Sequence, residues 1–204
     1  MKSRKGAALA AVALAGAASA WALQAPPATP ERPVAPRAAS FPPPAAEPEA
    51  VVETDLGSFT IRLLPDVAPG HVRHFLKTAK AGGFDHTTFH RIIPGGIIQG
   101  GDPLSKDLKA TTRYGTGGLG LLTAEFSDRP FTRGVVAAVR RPSGVDSAGN
   151  QFFVCLSDQP SLKGQYTIFG EVVEGMGVVD TIGLTPIQGD RATTRVEIKK
   201  VTPR

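Results

Sequence analysis

The sequence predicts a mainly β protein, a closed barrel of seven or eight short strands with two helices covering its ends. Three observations carry that prediction. Short apolar, β-rich runs recur along the last three quarters of the chain, glycine-rich turns separate them, and only two segments show helical spacing. Strands and helices do not alternate regularly, which argues against a doubly wound parallel sheet.

The elements follow in order. "VVET" and "SFTIRLL" are joined by a short turn containing Gly57 and read as a hairpin. In "HVRHFLKTAKAGG", Val72, Phe75, Leu76 and Ala79 fall at helical spacing, and Gly82-Gly83 ends the helix. "TTFHRII" and "GIIQGGD" are strand-like. The glycine-rich "RYGTGGLG" and the irregular "AEFSDRPF" come next, and "RGVVAAVRR" is again a strand. The polar loop "PSGVDSAGN" leads into the strands of "QFFVCL" and "YTIFGEVV". "EGMGVVDTIG" makes the second helix, and "RVEIKKV" closes the chain as an alternating strand.

The chain ahead of this domain reads differently. Residues 1–20 carry Lys2, Arg4 and Lys5, then an alanine-rich apolar stretch ending in Ala18-Ser19-Ala20, the pattern of a secretory signal peptide. A retained membrane anchor is the competing reading, but the apolar run from Gly6 to Leu23 is mostly alanine and barely long enough to span. Residues 21–50 form a Pro/Ala-rich linker, with nine of the chain's 18 prolines between positions 26 and 48; such a segment cannot bury a core and is expected to be disordered. Residues 51–204 make one domain. This organisation predicts cleavage near Ala20, export to the periplasm or beyond, and no stable membrane insertion afterwards.

Charge excludes one class of partner. The net charge of +5 falls to +2 once the three cations of residues 1–20 are removed. Nucleic-acid binding needs a clustered basic face, and Arg140-Arg141 is the one conspicuous basic pair, so no nucleic-acid partner is expected. Cys155 lies inside the apolar "FFVCL" and reads as a buried strand residue rather than a nucleophile.

The chemical motifs narrow the field further. "GTGGLG" fits G-x-G-x-x-G in form, but no helix follows it, so its glycines read as loop residues. His71, His74, His86 and His90 lie within twenty residues, yet no cysteine joins them and second-shell carboxylates are scarce. Neither a metal nor a cofactor is expected. What remains is Arg91 among isoleucines, with Gln99 and Gln151 as neutral hydrogen-bonding companions. That set suits a reaction needing a desolvated pocket and one fixed cation; the plainer alternative pairs Arg91 with an acid such as Asp102.

In that order, "FHRIIPGGIIQGGDP", "GTGG", "AEF", "NQFFV" and "YTIFGEVVEGM" resemble the motifs of cyclophilin-type peptidyl-prolyl isomerases, and "APGHVRHFLKTAKAGGF" resembles the family's first helix. The resemblance covers residues 51–203. It implies an eight-stranded antiparallel β-barrel capped by two α-helices, with a substrate groove on its outer face. By position, Arg91 is similar to the family's catalytic arginine and Gln99 to its supporting glutamine. Ile97, Phe153 and Leu162 then line a proline pocket. His90, Gln151, Arg140 and Arg141 belong to the substrate groove, and Tyr166 stands where many relatives have histidine. Two positions depart from the pattern: Gly96 replaces a phenylalanine that forms one wall of the proline pocket, and Ser161 replaces a tryptophan of many eukaryotic members. The resemblance implies a monomer acting on proline-containing unfolded or partly folded chains. A proline-segment-binding, chaperone-like module with little turnover is the rival function, favoured by Gly96 alone.

Overall fold

The computed structural model describes residues 47–204. The expected signal peptide, residues 1–20, and residues 21–46 of the expected linker lie outside the described residues. The sheet begins at Glu49, two residues earlier than expected, because Ala50 is fully buried and pairs with Ile61 on one side and Pro203 on the other.

β1 (Glu49–Thr54) and β2 (Gly57–Leu63) form the expected hairpin. Thr54 closes it: its hydroxyl donates to the Gly57 carbonyl at 2.7 Å and accepts from the Leu56 N–H at 3.1 Å. Gly57 sits at φ +124°, where a Cβ would also press on Val178. α1 (Pro69–Lys80) starts on a proline, which lacks the N–H that a first turn cannot satisfy, and buries Val72, Phe75 and Ala79. The Phe75 ring lies 4.9, 5.9 and 5.3 Å from those of Phe84, Phe152 and Phe169. These contacts tie the helix to the sheet.

β3 (Thr87–Thr88), β4 (Arg91–Ile93) and β5 (Ile97–Gly100) come next, then β6 (Val135–Ala138), β7 (Phe152–Cys155) and β8 (Ile168–Glu174). α2 (Met176–Gly183) precedes β9 (Ile187–Gln188), β10 (Arg191–Ala192) and β11 (Glu197–Pro203). All the pairings are antiparallel, and the order is β3-β11-β1-β2-β8-β6-β7-β5-β4-β10-β9.

This corrects the expected closed eight-stranded barrel. The described sheet has eleven strands and is curled but open, since β3 and β9 end it without pairing to each other. β3, β9 and β10 are two residues long, too short to leave a period in the sequence, and without them eight strands remain. "TTFHRII" is not one strand either. Thr87–Thr88 pair with β11 and Arg91–Ile93 with β5, so the chain changes neighbours at Phe89-His90.

Alternation along the strands divides the apolar residues into two clusters. Ile98, Val154 and Val136 lie opposite one another across β5, β7 and β6 and face the main core with both helices. Their neighbours Ile97, Phe153, Ala137 and Cys155 face the other way and join Phe131, Val135, Leu64 and Ile168 in a second cluster. Cys155 is buried as expected, and burial pushes its thiol up to about 12. The second cluster lies beneath the candidate site.

Candidate active site

Register places the chemistry. Arg91 of β4 is opposite Gln99 of β5, Gln99 is opposite Phe153 of β7, and Phe153 is opposite Ala137 of β6. Cross-strand partners share a face, so one row across four strands carries the cation, an amide and an aromatic wall. A groove of about 760 Å³ opens over this row. Its walls include Ile97, Phe153, Leu162 and Tyr166 at one end, His90 and Arg91 at the centre, and Arg140 at the rim.

The apolar end is built from aromatic contacts. Phe153 stacks on Phe131 with 17° between the rings, and meets the Tyr166 ring edge-on at 5.4 Å. The Arg140 guanidinium lies 5.0 Å from the Tyr166 ring centroid and donates from Nε to the Gln165 carbonyl at 2.7 Å. Gly96 opens this end. The space its side chain would take is pressed by Ile93, whose Cγ2 would stand 2.9 Å from a Cβ there, and Ile93 lines the groove itself.

Arg91 is held from two sides. Its Nη1 donates to Gln99 Oε1 at 3.3 Å and its Nε to Asp190 Oδ2 at 2.7 Å. The plainer reading of Arg91 is therefore half right, with a different acid: Asp190 is the partner and Asp102 is not. Asp102 is fully buried and shapes the glycine loop, accepting from the N–H groups of Leu104, Gly115 and Gly117. That loop returns to the site, because the Gly117 carbonyl accepts from Gln151 Nε2 at 2.7 Å and Gln151 Oε1 accepts from Gln99 Nε2 at 3.0 Å. The amide chain fixes which face of Gln99 accepts from Arg91. The hydrogen bond from Arg91 holds the Asp190 carboxyl below its usual range, against a smaller opposing effect of burial.

His90 is buried, with Nδ1 3.4 Å from the Thr88 carbonyl and no partner for Nε2. Burial lowers its pKa, so it is neutral at pH 7. The four clustered histidines do not converge. His71 Nδ1 lies 2.6 Å from Glu125, His74 bonds Asn150, and His86 bonds Glu197. Among the described residues no group of three or more His, Cys, Asp or Glu is placed to hold a metal.

Most of the residues singled out from sequence therefore meet in one groove. Two stand elsewhere. Gln151 is fully buried behind Gln99 rather than on the rim. Arg141 turns toward the loop, where its Nη2 donates to the Leu119 carbonyl at 3.3 Å and its guanidinium packs over Gly120. The sequence reading missed Ile93, Val139, Gln159 and Asp190, all of which line the groove. Asp190 lies 99 residues from Arg91 in a short polar turn, and only the fold joins them.

Comparison with known proteins points one way. Residues 50–203 match the family described as cyclophilin type peptidyl-prolyl cis-trans isomerase/CLD. A probable peptidyl-prolyl cis-trans isomerase of Brucella suis is 43% identical over 146 residues, covering 68% of this chain and 74% of the relative. A peptidyl-prolyl cis-trans isomerase-like 1 protein of Neurospora crassa is 38% identical over 157 residues, covering 74% of this chain and 91% of the relative. Among solved structures, a Cryptosporidium parvum cyclophilin-type isomerase crystallised in the presence of the dipeptide Ala-Pro superposes with a TM-score of 0.69 at 26% identity, covering 76% of this chain and 98% of that one.

Proposed function

The chain belongs to the cyclophilin-type peptidyl-prolyl cis-trans isomerases, and we propose that Arg91 drives its exchange of X-Pro bonds in exported polypeptides. The observation carrying this reading is the row Arg91–Gln99–Phe153, which sets a fixed cation beside an apolar wall.

The reaction needs no bond broken. Delocalisation of the nitrogen lone pair into the carbonyl gives the peptide bond a rotational barrier of ~18–20 kcal/mol. X-Pro isomers differ by only about 0.5–1 kcal/mol, yet exchange over tens of seconds or longer. As the bond twists, the nitrogen turns pyramidal and its lone pair can accept a hydrogen bond. A guanidinium beside that nitrogen stabilises the twisted form more than either planar one. The proline ring sits against Ile97, Phe153 and Leu162, where excluded water strengthens the interaction. A planar fork with permanent charge and weak hydration suits this better than an ammonium.

Arg91→Ala removes a charge-assisted hydrogen bond of about 1.5–3 kcal/mol made chiefly in the twisted state, so the rate constant falls by roughly one to two powers of ten. Binding of an X-Pro peptide weakens far less, because the apolar wall remains. Arg91→Lys recovers little. A coupled assay of cis-to-trans exchange on a short X-Pro peptide measures both; unchanged turnover in Arg91→Ala refutes the mechanism. A parent that binds peptide without turnover is instead the proline-binding module.

Export rests on the basic, apolar and small-residue pattern of residues 1–20, and the Pro/Ala-rich segment then tethers a monomeric domain. N-terminal sequencing of the protein from cells tests it. A chain beginning near Trp21 in the envelope fraction supports export, and one beginning at Met1 in the cytoplasm defeats it.

A further inference from the structure

A guanidinium can stabilise a twisted peptide only if it is already aimed when the twist occurs. Arginine carries three flexible carbons, and the Arg91 side chain is 39% exposed, so packing alone does not aim it. Gln99 holds one amino group at 3.3 Å, a long hydrogen bond. The short one, at 2.7 Å, runs from Nε to the Asp190 carboxylate.

Asp190 is itself delivered by a small device. It follows Gly189, at φ +65°, in the turn between β9 and β10. That hairpin meets the rest of the sheet through a single residue pair, Arg191 opposite Arg91, and the Asp190 carbonyl accepts from the Ile92 N–H at 2.8 Å. Arg191 Nη1 donates to the Thr111 carbonyl at 2.7 Å and ties the ribbon from its other side. Two short strands are thus attached to the sheet at the position of the arginine, with a carboxylate set against its Nε.

We propose that Asp190 is a positioning residue for isomerisation, locking the Arg91 guanidinium in its working orientation before substrate arrives. Asp190 and Gln99 occupy Nε and Nη1 and leave Nη2 without a hydrogen bond among the described residues, free to serve the peptide. The carboxylate does not touch the reacting bond. It removes the rotational freedom that Arg91 would otherwise lose in the twisted state, so its effect belongs to turnover rather than to peptide binding.

The inference rests on the role given to Arg91 above, and the test separates the two. With a short X-Pro peptide, Asp190→Ala lowers kcat about tenfold and leaves KM within about twofold. Asp190→Asn keeps an acceptor oxygen without the charge and recovers about a third of parental kcat, with an unchanged melting temperature. In an Arg91→Ala background, Asp190→Ala has no further effect. Parental or faster turnover in Asp190→Ala overturns the proposal, as does an additive loss in the double variant. A second readout does not depend on turnover: the Arg91 Nε–H resonance is sharp and slow to exchange in the parent and broadens in Asp190→Ala. If the parent shows no turnover, the function assigned to Arg91 has failed, while an unaltered Nε–H resonance in Asp190→Ala overturns the positioning role by itself.

Discussion

At the scale of single residues, Gly96 and Ile93 shape the end of the groove proposed to take proline. The resemblance implied a phenylalanine wall at position 96, and glycine there suggested a weakened pocket. Ile93 changes that view, because its Cγ2 leans on the space above Gly96 and its side chain lines the groove while staying 38% exposed. Removing it takes away partly buried carbons worth about 1 kcal/mol, so Ile93→Ala raises KM for an X-Pro peptide roughly fivefold with kcat unchanged. Adding Gly96→Phe to that variant supplies the missing wall and brings KM back down. The backbone at Gly96 is not left-handed, and Ile93→Ala removes the Cγ2 that would stand 2.9 Å from a Cβ there, leaving the Ile93 Cβ and carbonyl oxygen at 3.3 Å. Steady-state kinetics of the two variants check this; an unchanged KM in Ile93→Ala means Ile93 is no part of the pocket. The motif around Arg91 and Gln99 was legible in sequence because its members are eight residues apart on adjacent strands. Asp190 was not, since nothing local marks a polar turn residue as the partner of an arginine a hundred positions earlier.

At the scale of elements, α1 is held by a residue outside it. Its N-cap, Ala68, has no side-chain acceptor, and Glu125 supplies one from the "AEF" segment, accepting from the Gly70 and His71 N–H groups at 2.9 Å each and from the His71 ring. Glu125→Ala leaves those donors short of a partner, at a cost of about 1–3 kcal/mol. For a domain of this size that lowers Tm by roughly 2–12 °C, measurable by scanning calorimetry. An unchanged Tm would show that solvent replaces the carboxylate without loss. The periodicity of "HVRHFLKTAKAGG" revealed the helix, but not its cap, because capping from 55 residues away leaves no local pattern. The long strands were legible for the same reason as the helix. The two-residue strands β3, β9 and β10 were not, and with them went the open form of the sheet.

At the scale of the whole molecule, buried titratable groups predict how stability depends on pH. Burial lowers the pKa of His71 and of His90. Each therefore contributes stability present above the unfolded value of ~6.5 and lost as pH falls toward its folded value. Burial works to raise Glu125, but hydrogen bonds from the His71 ring and two backbone N–H groups outweigh it, and the net shift is downward. Its contribution is present above the unfolded carboxylate value near ~4.3 and lost on further acidification. Cys155 acts in the opposite sense. Its thiol stays protonated to about 12, so above the unfolded value of ~8.5 the unfolded chain alone ionises and stability falls. Tm is thus highest between about pH 7 and 8.5 and declines on both sides; Cys155→Ala flattens the alkaline limb, and a Tm that peaks below pH 6 contradicts the assignment. The open sheet has a last consequence. A catalyst of folding meets chains with unpaired backbone, and a long bare sheet margin would invite them to dock as an extra strand and stay. Among the described residues the terminal strands β3 and β9 are two residues long, and where β11 runs on past its pairing with β3 it carries the exposed Lys199 and Lys200, charges that discourage such an addition.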